Sequence, residues 1–209
     1  MGVLTLYALE LDDVCGFFGA SEPSATRQLE WAAEVTSEPI KPKLLGKVGP
    51  LFKHPVAPIM EIPVPTMDDA RSLIEGRTPA PERLRLAWVI VQHWCKRLAL
   101  GSVEITLDRH QLAAIDFAVV SRGLSSQNSL ETILTRNPHL PLLPPAGLMI
   151  GWMPHTHVAK AASQWPSAVG TATADDELAD DLKEPADRLA RFFEQAQTWT
   201  MTDVLALYQ

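Results

Sequence analysis

Residues 78–107, TPAPERLRLAWVIVQHWCKRLALGSVEITL, carry the firmest local signal in the chain. Leu84, Ala87, Trp88, Val91, Trp94, Cys95 and Leu98 recur at i, i+3, i+4 and i+7, which lines one face of a helix. Two tryptophans on that stripe predict a helix buried along its length. His93 falls nearly opposite, beside Val89 and Arg97. Gly101 ends the pattern, and SVEITL then alternates as a strand does. A long one-sided helix leading into a strand predicts helices packed on a sheet.

The N-terminal VLTLYALEL extends this picture. Val3, Thr5, Tyr7 and Leu9 share one side and Leu4, Leu6 and Ala8 the other, so the strand is buried on much of both faces. SATRQLEWAAEV predicts a helix with Ser24 as its cap. Residues 38–65 hold seven prolines and form a long loop, whose apolar residues favour packing on the core. Thr66 caps MDDARSLIE, which Gly76 closes. Asp108 and Gln111 have the spacing of a reciprocal capping box, with Leu107 and Leu112 as its staple. That helix stops near Gly123, and a shorter one starts at Asn128 with Glu131 and ends before Pro138.

LMIGWM reads as a third strand, followed by a helix from about Pro154 to Trp165. LADDLKEPADRLARFFEQA and TMTDVLALY read as closing helices. The expectation is an α+β fold, a sheet of about three strands covered by about seven helices. Residues 1–165 form a compact domain including the loop, and 166–209 add an acidic connection and C-terminal helices packed on the same domain.

With 209 residues, 46% of them hydrophobic and 21% charged, the chain can bury a full core. No apolar run is long enough to span a bilayer, and the N-terminus lacks the basic and apolar regions of a signal peptide. Two cysteines, Cys15 and Cys95, read as reduced thiols of a cytoplasmic protein. A net charge of −7 argues against general nucleic-acid binding.

Charge is unevenly placed. Pro39 to Arg97 holds ten basic and five acidic residues, whereas Gly170 to Gln209 holds three basic and nine acidic. The acids Asp175, Asp176, Glu177, Asp180 and Asp181, and the lysines Lys41, Lys43, Lys47 and Lys53, are therefore candidate partner surfaces. Either they meet each other or they meet another protein.

GWMPHTHVAK, residues 151–160, looks most like chemistry. A metal needs three or four converging ligands, and His155 and His157 supply two. Pro154 suits the first helical position, which places both rings in a first turn and about 200° apart. The pair therefore marks a strand-to-helix junction, with no metal or cofactor expected. Asp116 lies at the margin of the Leu112, Ile115, Val119 stripe, where a carboxylate binds backbone donors or an arginine. Phosphate-binding and nucleophile-elbow motifs are absent. The leading expectation is a non-enzymatic protein acting through protein–protein interaction, as an immunity or accessory protein. The rival is a small hydrolase-like enzyme in which Asp116 converges with His155 or His157. A polar enclosed cleft joining those residues favours the rival; an exposed apolar or charged patch favours binding.

At VGPLFKHP, EGRTPAPERLRLAW, LALGSVEITLD, NPHLPL and GWMPHTHV the chain resembles a family of actinobacterial proteins that share a domain of unknown function. The resemblance covers about residues 1–165, and the stretch 171–187 is least like the family. It implies a bacterial cytoplasmic protein built as one compact domain, and it brings no activity or functional residue with it.

Overall fold

A computed structural model describes residues 2–36, 63–175 and 177–209. Among these residues four antiparallel strands form one sheet in the order β2-β1-β4-β3, with β1 Gly2–Leu9, β2 Gly101–Leu107, β3 Met149–Met153 and β4 Asp203–Tyr208. Helices α1 Leu11–Cys15, α2 Glu22–Ala33, α3 Met67–Ile74 and α4 Leu84–Leu98 lie on one face. Helices α5 Arg109–Ser121, α6 Leu130–Thr135, α7 His155–Ala174 and α8 Asp180–Ala196 lie on the other. The result is an α+β fold of three layers with the sheet in the middle. Among the described residues no helix is long and apolar enough to cross a membrane.

The strand alternation assigns the layers. Leu4, Leu6 and Ala8 join the core under α5–α8, and Tyr7 and Leu9 join the core under α1–α4. On β4, Val204, Ala206 and Tyr208 face the first layer, and Leu205 and Leu207 the second. The segment TMTDVLALY, expected as a helix, is thus a sheet strand. It pairs from Leu4↔Tyr208 to Leu9↔Asp203 with β1 and from Met149↔Tyr208 to Met153↔Val204 with β3. A strand covered on both faces is a continuous apolar run, which periodicity does not distinguish from a buried helix.

The 84–98 helix lies where its stripe directs it. Ala87, Trp88, Val91, Trp94 and Cys95 are buried, and Trp94 Nε1 donates to the Gln28 carbonyl at 3.0 Å. Leu86 and Ile90 are buried too, so the covered arc is wider than the stripe. His93 is not on a solvent face. Its side chain is 17% exposed and packs toward α2, with Nε2 3.2 Å from Glu34 Oε2.

Most helix starts follow their sequence signals. Thr66 with Asp69 and Asp108 with Gln111 both form reciprocal capping boxes. Asp69 also takes two bonds from Arg83, tying α3 to the start of α4. Burial opposes ionisation of Asp69, but the Arg83 and Thr66 bonds outweigh it and hold the carboxyl below its ordinary pKa. Other starts are shifted. The α2 cap position is Ser21 rather than Ser24, because Pro23 is tolerated in a first turn. For α6 the cap is Ser129, whose hydroxyl accepts from Thr132 N at 3.2 Å, because the Asn128 side chain is engaged elsewhere. Helix α7 runs through Pro166 to Ala174, so the boundary expected at residue 165 falls inside it. The backbone bond missing at Pro166 is offset by burial of Trp165, Ala168, Val169 and Ala172, with Trp165 stacked on Phe193 at 5.3 Å.

One glycine fixes how α6 sits on β3. A Cβ on Gly151 would overlap the Ile133 carbonyl oxygen and come within 2.7 Å of Leu134 Cα. Trp152 N–H then donates to the Arg136 carbonyl at 3.2 Å, continuing the edge of the sheet into the end of α6. Gly151→Ala is therefore expected to destabilise the fold by about 3 kcal/mol, and Trp88→Ala by about 3–5 kcal/mol. Equilibrium denaturation of both variants measures this. A wild-type midpoint for Gly151→Ala would mean that α6 does not need its close seat on β3.

Candidate functional site: the cleft between α5 and α6

The two histidines at the start of α7 diverge. His155 N–H donates to Asp203 Oδ1 at 2.8 Å, and its Nδ1 lies 3.7 Å from the same oxygen. Asp203 Oδ2 accepts from Leu11 N at 3.0 Å, so this carboxylate closes the starts of α7 and α1 together. His157 Nδ1 instead lies 3.3 Å from Asn128 Oδ1. Asn128 is fully buried; its amide donates to Gln164 Oε1 at 3.0 Å and its carbonyl accepts from Trp165 Nε1 at 3.2 Å. Each histidine thus belongs to a structural bond set at a junction. Among the described residues no three His, Cys, Asp or Glu side chains are grouped to hold a metal.

Asp116 is 7% exposed, and its oxygens face the first turn of α6. Oδ1 accepts from Leu130 N at 2.6 Å and Oδ2 from Glu131 N at 3.4 Å. The carboxylate therefore closes a helix start from across the layer, the backbone-bound role expected of it. Burial pushes its pKa above the ordinary carboxyl value, outweighing the two backbone bonds that pull it down.

Beside Asp116, α5 and α6 stand apart and leave a cleft of about 670 Å³, within the range of ligand-sized recesses. Leu112, Leu134, Met149 and Tyr208 line it with mostly apolar surface, and Arg109, Ser126 and Glu131 are among its polar lining. Neither His155 nor His157 lines it. Phe117 stands at its rim 77% exposed, with exposed Ala113 one turn before it.

No sequence signal singled out Phe117. The stripe 112/115/119 marks the inner face of α5, but Ala113, Ala114 and Phe117 continue apolar character around the outside. A helix apolar all round yet lying at the surface was the available cue. The roles of Asp203 and Asn128 carry no local signal, since TMTDVLALY suits a helix as well as a strand and Asn128 has the spacing of a helix cap.

The acidic run is stitched to α5. Arg122 pairs with Asp175 at 3.0 Å and with Glu177, and Ser121 Oγ donates to Glu177 Oε2 at 3.1 Å. Gln111 Nε2 donates to Asp181 Oδ2 at 3.2 Å, and Lys183 pairs with Asp180 at 2.7 Å. Asp176 and the lysines Lys41, Lys43, Lys47 and Lys53 lie outside the described residues, as does most of the 38–65 loop. Compared with protein-family models, curated proteins and solved structures, the chain matches none.

The role of Asp116 has a pH signature. Its raised folded-state pKa means that the folded protein holds this proton more tightly than the unfolded chain. Its contribution is fullest below the ordinary carboxyl pKa and declines as pH rises through the folded value. Asp116→Asn is expected to flatten that decline, which begins above the ordinary carboxyl pKa of about 4. Asp116→Ala, which leaves the Leu130 N–H without its acceptor, is expected to cost about 1–3 kcal/mol. Guanidinium denaturation at a series of pH values measures both; an unchanged pH slope in Asp116→Asn would remove this account of the residue.

Proposed function

We propose that the chain is a non-enzymatic binding protein that works through protein–protein contact, with the α5–α6 face as its docking surface. The observation that carries this is Phe117, 77% exposed at the rim of a largely apolar cleft. An aromatic side chain beside an apolar recess is the usual make-up of an interface hot spot. The enzyme reading needs an acid and a base facing one cleft. Here Asp116 lines the cleft with its oxygens bound to the α6 backbone, while the two histidines are bonded elsewhere. Four of the five candidate acids, Asp175, Glu177, Asp180 and Asp181, have partners within the chain, which gives them a structural use. An immunity or accessory role, with this face covering part of another protein in a bacterial cytoplasm, is the specific form of the proposal.

Phe117→Asp tests it. The ring lies outside the core, so stability is expected to change by less than about 0.5 kcal/mol. Purification from host cells with wild-type and Phe117→Asp baits is expected to recover a partner with the first and lose it with the second. The same proteins recovered with both baits would move the docking surface elsewhere.

A further inference from the structure

We infer that, with no other protein present, the α5–α6 face is covered by a second copy of this chain, paired about a twofold axis with each Phe117 in the other copy's cleft. This rests on the docking-face reading above and names an occupant for that face. A twofold pair needs a patch complementary to itself, with a projection beside a recess and opposite charges at opposite ends. The face holds both. Phe117 projects from the middle of α5, and the cleft of about 670 Å³ opens beside it with room for an aromatic ring. Ala113 and Ala114 are exposed one turn earlier and present only methyl groups, so a second helix can approach α5 closely.

The charges have the matching polarity. Arg109 at the start of α5 has no carboxylate partner among the described residues, and its guanidinium rests against Met149 Sδ at 3.1 Å. Glu131 lies about two turns further along α5, where α6 starts beside Asp116, and its carboxylate has no cation among the described residues. Turning a second copy end for end brings each Arg109 to the other copy's Glu131, twice across the axis. Two like faces thereby pair two charges that have no ion-pair partner among the described residues.

Sedimentation velocity of the full chain over about 1–100 µM, where a modest interface shows its dissociation, reads the state directly. Expected is a reversible dimer that Phe117→Asp converts to a monomer with unchanged circular dichroism. Ala113→Glu on the same face provides an independent block. Arg109→Glu and Glu131→Arg are each expected to raise the dissociation constant about tenfold, and the double reversal to bring it back. A wild type monomeric throughout, a Phe117→Asp variant that still dimerises, or a double reversal that fails to recover overturns the inference. A monomeric wild type whose Phe117→Asp bait still loses a partner from host cells would overturn the second copy and leave the docking face standing.

Discussion

Everything in this structure hangs on β1 and β4 lying side by side in the middle of the sheet. Their ladder, from Leu4↔Tyr208 to Leu9↔Asp203, satisfies the backbone of two strands that are covered on both faces. Because consecutive side chains point opposite ways, the same two strands supply the floor of both helical layers. Leu6 and Ala206 serve one core, Tyr7 and Leu205 the other. A register slip of one residue would exchange the two cores at once, and the layers do not have interchangeable shapes. Tryptophans of α4 fill one, and the Trp165–Phe193 stack of α7 and α8 fills the other.

The fold is legible in the sequence where physical signals are local. The 84–98 stripe, the capping boxes at Thr66 and Asp108, and the opposite faces of β1 are each written within a few residues, and each is found in place. It is not legible where the deciding contact comes from far along the chain. VLALY carries no mark that β1 and β3 flank it. Pro166 looks like a stop unless the burial of the turns beyond it is known. His93 looks exposed until Glu34 of α2 is brought beside it. The candidate site divides likewise: the backbone-bound role of Asp116 was readable from the margin of its stripe, but the gap between α5 and α6 was not.

Carboxylates and a hydroxyl near this face hold helix starts. Asp116 and Ser129 together occupy the start of α6, and Asp203 occupies the starts of α7 and α1. These bonds position α5 and α6 firmly around an apolar recess, and Gly151 sets how low α6 can sit over the strand below. If, as proposed, a partner docks here, helix starts held this way leave little to be ordered when it enters the recess.

The place of β4 has a bearing on how the molecule is made. Synthesis is vectorial, and residues 203–208 leave the ribosome after every other described element. Until then, among the described strands, β1 has β2 alone to pair with, and its other edge is open. Among the described residues, β3 then has no strand to join, since its ladder partner there is β4. Contacts spanning nearly the whole chain close slowly, because loop closure precedes the contacts that stabilise it. In that order of synthesis the β1–β2 pair can form before β4, and the remaining β1 edge is satisfied when β4 pairs with it.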